Sequence, residues 1–418
     1  MKLLVIGAGM MGTAAAYDMA RSPAVQSVTL ADSDPRRAKE SARRIQSLLA
    51  LHRKAETVKN KIRAVELDAS DEKDATRLMR GHNAALSAVP YFFNIGLAKA
   101  AIRARCHFAD LGGNNTVVRK TYALAREAAK RNIGLAPDCG LSPGMASILA
   151  GELVRKLATG TASSRRQKID ALKLYVGGLP KYPKHPFHYQ LVFSVEGLIN
   201  EYVEQARVLK NGKIQEIEPL TEPEEFHLKG FAPMVAFHTS GGTSTMPETF
   251  AGQVGECFEK TLRYPDHYKL IRGLYDLGFF SSDKRKFKKA ELSPREMTAA
   301  LFLERLSGNE PDVCIMRVEA HQNARVLAFE MVDYYDAKLE LTAMMRTTAW
   351  PASIVLQMIA SGVISKRGAI KQELDVPAEV FLREMSRRGI KIAFSDSQAK
   401  SGTSSYRVSS SGTKSAHA

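Results

Sequence analysis

Through the first third of the chain, short apolar runs alternate with stretches of helical period. Leu3–Ile6 and Val28–Ala31 read as buried strands, with an Ala-rich helix between them. Further strands are predicted at Ile62–Leu67, Ala84–Val89, His107–Ala109 and Ile133–Ala136. Helices are predicted from Arg36, over Asn94–Ala104 and over Arg119–Arg131. Short strands separated by helices imply a parallel sheet with right-handed crossovers, here over residues 1–140. From Lys168 the period shifts toward alternation. Leu172–Val176, Val313–Ala320 and Val326–Tyr335 predict a mixed or antiparallel sheet with helices on one face. Helical pattern returns near Thr347, where Pro351 suits a first turn and Gly362 a cap, and a last helix lies between Pro377 and Gly389. The stretch from Ser395 has nine serines in 24 residues and no apolar period, so residues 395–418 read as a disordered tail. The fold class is therefore α/β, a Rossmann domain followed by a second mixed α/β domain.

The turn after the first strand carries the first chemical signal. Gly7-Ala8-Gly9-Met10-Met11-Gly12 opens the Ala-rich helix, and Asp32 closes the second strand 20 positions after Gly12. In such a turn the first Gly permits the bend, the second lets a pyrophosphate approach, and the third packs helix on strand. A terminal acid accepts from both ribose hydroxyls and repels a 2′-phosphate, so Asp32 favours NAD, while Arg36 and Arg37 pull the other way. In an open parallel sheet the ligand lies beyond the carboxyl ends of the strands. Asp68 and the Ala88-Val89-Pro90 turn are thus expected to line the cofactor.

Asp110, followed by Leu111-Gly112-Gly113, and Asp138 end two further strands. Each either pairs with a substrate ammonium or caps the next helix. Phe237-His238-Thr239-Ser240-Gly241-Gly242-Thr243-Ser244-Thr245 offers hydroxyls and glycine amides in succession, an expected nest for a substrate carboxylate. His238 is the first candidate for a proton acceptor near neutrality, with Tyr175 and Asp138 as alternatives. Asp110, Gly112, Thr239, Ser240, Gly241 and Thr243 are the expected substrate contacts. His185 and His188 have no nearby acids, and no metal is expected.

A length of 418 residues suits two or three domains. Cys106, Cys139, Cys257 and Cys314 form no close pair and read as buried thiols in a reducing compartment. The first strand starts at once, leaving no room for a signal peptide, and no apolar run is long enough to span a membrane, so a cytoplasmic location is expected. The net charge is +16. Ten Lys/Arg against two acids lie between Arg36 and Arg63, with a second cluster at Lys284–Lys289. Neither accompanies a nucleic-acid motif, and both read as solvated faces.

The chain resembles the saccharopine dehydrogenase-like family of amino-acid oxidoreductases, and within it the lysine 6-dehydrogenases. The resemblance rests on the Val5–Gly12 turn, Thr29–Asp32, Asp110–Gly113, Pro143–Met145, Leu174–Pro180, Val192–Leu198, Phe237–Thr245 and Gly362–Gly368. It passes over Leu51–Lys61, which reads as an insertion, and the serine-rich tail. Pro90-Tyr91-Phe92-Phe93 is variable in the family, which bears on the amine accepted.

The resemblance implies an NAD-binding Rossmann domain at 1–140 and a substrate-binding and oligomerisation domain at 141–345. It also implies helices at 346–394 that pack back on the first domain, in a dimer or higher homo-oligomer such as a tetramer. The implied reaction is oxidative deamination of the L-lysine ε-amine, with ammonia released and the aldehyde free to cyclise. A saccharopine- or carboxynorspermidine-type reaction is the alternative, and a non-catalytic dinucleotide-binding regulator is another.

Overall fold

The computed structural model describes residues 1–51, 61–159, 168–288, 290–308 and 310–398. Most of Leu51–Lys61 and residues 399–418 of the expected tail lie outside the described residues. Seven parallel strands form the first sheet: β1 (Lys2–Ile6), β2 (Ser27–Asp32), β3 (Ile62–Glu66), β4 (Ala84–Ser87), β5 (His107–Asp110), β6 (Gly134–Ala136) and the late Gly368–Ala369. Their order is β3-β2-β1-β4-β5-β6 and then Gly368–Ala369. Leu3, Leu4, Val5 and Ile6 are buried because helices cover both faces, which is why the strand reads as an unbroken apolar run. Succession reverses between β1 and β4, and a crevice opens beyond their carboxyl ends. The stretch predicted as one helix over Arg119–Arg131 forms two, Asn115–Ala123 and Ala125–Lys130.

The second sheet has nine strands. β7 (Ile169–Pro180) lies at its centre, parallel to β12 (Val254–Arg263) and antiparallel to β15 (Asp312–Gln322). Beyond β12 come β11 (Met234–His238) and β10 (Glu224–Phe226), with β8 (Ala206–Lys210) and β9 (Lys213–Ile217) attached to β12. A separate hairpin pairs β13 (Arg285–Phe287) with β14 (Ala290–Leu292). On the other side, β16 (Arg325–Tyr334) follows β15 and pairs with β18 (Ile392–Gln398), β17 being Gly368–Ala369.

The sheet's two faces differ. Leu172, Leu174, Val176, Cys257, Cys314 and Met316 share one continuous core with Leu3 and Val5 of β1 and with the helices Met145–Thr159 and Ala343–Ala360. The opposite face carries Tyr175, Leu179, Phe226, Ala236, Leu262 and Ile315 in a separate cluster. Side chains alternate along a strand, so residue parity decides which face meets the first domain.

Two local expectations are corrected. Pro351 lies inside the helix Ala343–Ala360, not in its first turn. Asp312 accepts from the Ala343 and Met344 N–H groups at 2.6 and 2.9 Å, and the Thr342 hydroxyl accepts from Met345 at 3.0 Å. These caps start the helix early, and it tolerates the bond lost at the proline. Residues 395–398 of the serine-rich stretch likewise form strand rather than tail. Ser395 and Ser397 alternate with Phe394 and Asp396 along β18, where Phe394 meets Phe329 and Asp396 pairs with Arg325.

Candidate active site

The glycine turn is built for close approach of a phosphate. A Cβ on Gly12 would lie 1.7 Å from the Gly7 carbonyl oxygen, and one on Gly7 would lie 2.6 Å from that of Ala88. Around Gly9 a Cβ would meet nothing within 4 Å. Gly9 caps the helix Met10–Arg21 without any side-chain acceptor, leaving the first-turn N–H groups for an anion. Asp34, Asp71 and Asn114 cap their helices with carboxylate or amide oxygens instead. Asp32 is buried and receives N–H groups of Ala8 at 2.7 Å and Asp34 at 2.9 Å, with Arg37 at 3.6 Å. The residues present fit a dinucleotide. Asp68 is exposed at the end of β3 and accepts from the Ser70 N–H and hydroxyl, which hold its carboxyl below the usual range.

Beyond β5 and β6 the chain buries carboxylates. Asp110 Oδ1 accepts from the N–H groups of Gly112 at 2.8 Å and Asp138 at 3.2 Å, while its buried Oδ2 has no partner among the described residues. Burial pushes Asp110 up to about 6, against those two bonds. Asp138 sits in left-handed backbone at φ +59° and accepts from the Ser244 hydroxyl. Burial pushes it up to about 8, and the neighbouring charge of Asp110 adds to the rise. Gly112 is required beside it, since a Cβ there would lie 2.1 Å from Asp138 Oδ1. Left-handed backbone and displaced acidity thus coincide at this one residue.

The second domain faces these residues with more acids. Glu259 on β12 is buried and pushed up to about 8, first by burial and then by Glu201. Glu201 is pushed up to about 7 by burial, held back by Arg263 at 3.3 Å. A Cβ on Gly242 would come within 2.5 Å of the Glu259 carboxyl, and the Gly242 carbonyl accepts from Ser142 at 3.2 Å. The loop that follows β11 therefore sits between Glu259 and the strand ends of the first sheet. Thr245 and Thr249 donate to the buried Glu373, which extends the acidic network.

This arrangement corrects three expectations. His238 and Tyr175 lie on the far face of the second sheet. Tyr175 packs on Phe226 and Phe258, and His238 meets Phe258 and donates to the Glu222 carboxylate. Lys260, directly opposite His238 in the ladder, shares that face, whereas Thr239, Glu259 and Thr261 bond to one another on the near face. Neither His238 nor Tyr175 reaches Asp110 or Asp138, so of the three candidate proton acceptors Asp138 alone borders the crevice. The hydroxyls of the expected anion nest are turned to other partners. Thr239 bonds Thr261, Ser240 bonds the Asn200 carbonyl and Thr243 bonds the Arg207 carbonyl, while Glu259 lies against Gly242. That surface favours a cation.

One group escaped the sequence reading. Glu196, Asn200 and Glu204 are four residues apart on and just after the helix Val195–Val203, so they line one face of it. Asn200 donates to the Tyr91 hydroxyl at 3.3 Å, and Asn114 donates to Glu204 at 2.9 Å. These contacts join the two domains across the crevice. The spacing Glu-x-x-x-Asn-x-x-x-Glu was the available signal, hidden inside an amphipathic helix. A groove of about 890 Å³ also opens near Met1, Tyr17 and Val380, at the amino end of β1 and away from this crevice.

The Saccharopine dehydrogenase NADP binding domain family matches residues 3–134, and the Saccharopine dehydrogenase C-terminal domain family matches residues 140–390. A saccharopine dehydrogenase [NADP(+), L-glutamate-forming] of Pyricularia oryzae is 24% identical over 255 residues, 60% of this chain and 54% of that protein. Its counterpart in Schizosaccharomyces pombe is 25% identical over 260 residues, 60% of this chain and 56% of that one. The chain thus spans about half the length of these curated relatives. Apo saccharopine dehydrogenase (L-Glu forming) from Saccharomyces cerevisiae has the same fold, with a TM-score of 0.74 at 17% identity over 95% of this chain and 99% of that one. Homospermidine synthase from Legionella pneumophila, solved with NAD, follows at 0.66 and 11% identity over 94% and 91%.

Proposed function

The chain belongs to the saccharopine dehydrogenase family, and we propose that it oxidises the ε-amine of L-lysine with NAD, releasing ammonia. The observation that carries this reading is the crowding of Asp110, Asp138, Glu201 and Glu259 at one crevice, with acidities displaced toward neutrality. In a chain of net charge +16 such a cluster is local chemistry rather than bulk composition. Buried carboxylates favour a bound ammonium and disfavour an anion. Saccharopine brings three carboxylates, and lysine brings one carboxylate and two amines, so the acidic crevice supports the smaller, cationic substrate. Residues 1–140 hold the dinucleotide in this account, residues 141–345 hold the amine, and 346–394 buttress the first domain.

When bound, a nicotinamide supplies the hydride acceptor. The chain's residues do the rest. Asp110 Oδ2, without a partner among the described residues, accepts from the substrate nitrogen. Asp138 takes the proton from the ε-ammonium, since only the neutral amine releases hydride from its carbon. Loss of hydride from the neutral amine leaves the protonated imine, so Asp138 needs to carry only the one proton. Water adds to it, ammonia departs, and the aldehyde remains. Ser244, bonded to Asp138, holds the carboxylate in position through the cycle. Side-by-side rates of coenzyme reduction with L-lysine and with saccharopine test the reading. Lysine is expected to be the faster substrate, and a preference for saccharopine would reject it.

Coenzyme choice rests on Asp32, whose carboxylate is fixed by two backbone N–H groups where a ribose 2′-substituent would approach. NAD is expected to be preferred over NADP. Asp32→Ser removes the repulsion and leaves Arg37 beside the site, so the NAD-to-NADP ratio of kcat/KM should drop by about tenfold or more. An unaltered ratio would show that Asp32 does not select the coenzyme.

A further inference from the structure

Arg295 stands at the crevice, near the start of the helix Pro294–Leu306. Its side chain is 18% exposed, and its Nη2 donates to Asn200 Oδ1 at 2.6 Å and lies 3.2 Å from Glu196 Oε2. Asn200 in turn bonds the Tyr91 hydroxyl, and Tyr91 packs against Gly113, the residue after the Gly112 that borders Asp138. Arg295, Asn200, Tyr91, Gly113 and Asp138 therefore form one continuous wall. Glu204 belongs to the same corner: burial raises its carboxyl, while the Asn114 bond and the charge of Arg295 pull it back.

Both recorded bonds of Arg295 use Nη2, and among the described residues its Nε and Nη1 N–H groups make none. With Nη2 so engaged, the guanidinium keeps single N–H donors on Nε and on Nη1 with which to meet a carboxylate oxygen. Beside it stand two carboxylates, Glu196 and Glu204, suited to an ammonium. A cation and an acid side by side match the carboxylate and amine on one α-carbon. Asp110 and Asp138, at the other end of the wall, meet only an amine.

We propose that Arg295 binds the α-carboxylate of an amino-acid substrate and Glu204 its α-ammonium, so that this corner selects amino acids over plain diamines. The assignment rests on the amine-oxidation reading and goes beyond it by naming the specificity residues. Its test compares L-lysine with cadaverine, which is lysine without its carboxyl group. Wild type should prefer lysine. In Arg295→Gln the lysine-to-cadaverine ratio of kcat/KM should fall about a hundredfold, mainly through KM for lysine, and Arg295→Lys should recover part of it. A merely structural arginine would lower both substrates together, so a constant ratio overturns the assignment. NAD affinity and melting temperature, measured on the same proteins, verify folding. If wild type reduces NAD with neither amine, the underlying reading falls and this one with it. If wild type and Arg295→Gln oxidise lysine equally well, the Arg295 assignment alone fails.

Discussion

Asp138→Asn is expected to lower turnover at least about a hundredfold while leaving NAD affinity within about threefold of wild type. Asparagine keeps the shape and the acceptor for Ser244 but takes no proton from an ammonium. The pH dependence separates this from a packing defect. Burial and the Asp110 charge push Asp138 up to about 8 in the ligand-free protein, so the base form gains tenfold per unit of pH below that value. In the oxidative direction kcat/KM should rise with pH toward 8, and the variant should lack that ascending limb. Stability should move the other way. A carboxyl raised from 3.8 to about 8 on folding contributes stability that is fully present below the lower value and lost as pH rises through the higher one. The variant has no such loss. Its melting temperature relative to wild type should therefore climb between about pH 4 and pH 8 and level off above, even as activity stays low. Near-normal turnover in the asparagine protein would remove Asp138 from proton transfer.

The second large effect separates two glycines of one turn. Gly12→Ala brings a Cβ to 1.7 Å from the Gly7 carbonyl oxygen and 2.9 Å from its carbon, neither of which is a flexible side-chain end. The helix Met10–Arg21 must retreat from β1. Overpacking of this kind costs about 1–3 kcal/mol, and the N–H groups that meet a phosphate move with the helix. The melting temperature without ligand should drop, and NAD affinity should fall about a hundredfold or more. Gly9→Ala meets nothing within 4 Å in the protein itself, so its ligand-free melting temperature should match wild type. Its methyl group occupies the space a pyrophosphate needs, and NAD affinity should still fall. Calorimetric titration and thermal melts of both variants check the contrast. Equal behaviour of the two would mean that the turn is a packing device only.

Much of the first domain was legible because its signals are local. A strand end, a glycine turn and a terminal acid lie within a few tens of residues, and Asp32, Asp110 and Asp138 are all strand-end residues. The faces of the second sheet were not legible in the same way. Along β11 and β12 both phases carry polar groups, His238 and Lys260 on one and Thr239, Glu259 and Thr261 on the other. Which phase meets the crevice depends on how the sheet docks on helices from distant parts of the chain, and no short pattern encodes that. A histidine among hydroxyls looked chemical, yet the buried acids of the near face do the facing. Glu201 and Glu259 are similarly invisible in sequence, since a charged residue in a strand or helix ordinarily points to solvent. Residues 395–398 misled for the opposite reason. Their low apolar content suits an edge strand, which needs only backbone partners and one ion pair.

The most direct measurement uses L-lysine labelled with a heavy nitrogen isotope at the ε position only. Incubation with NAD, followed by spectrophotometry of the reduced coenzyme and mass analysis of the ammonia, reports both products of the proposed reaction together. The account predicts labelled ammonia in equal amount to reduced coenzyme. Reduced coenzyme with unlabelled ammonia, or none of either product, would contradict it.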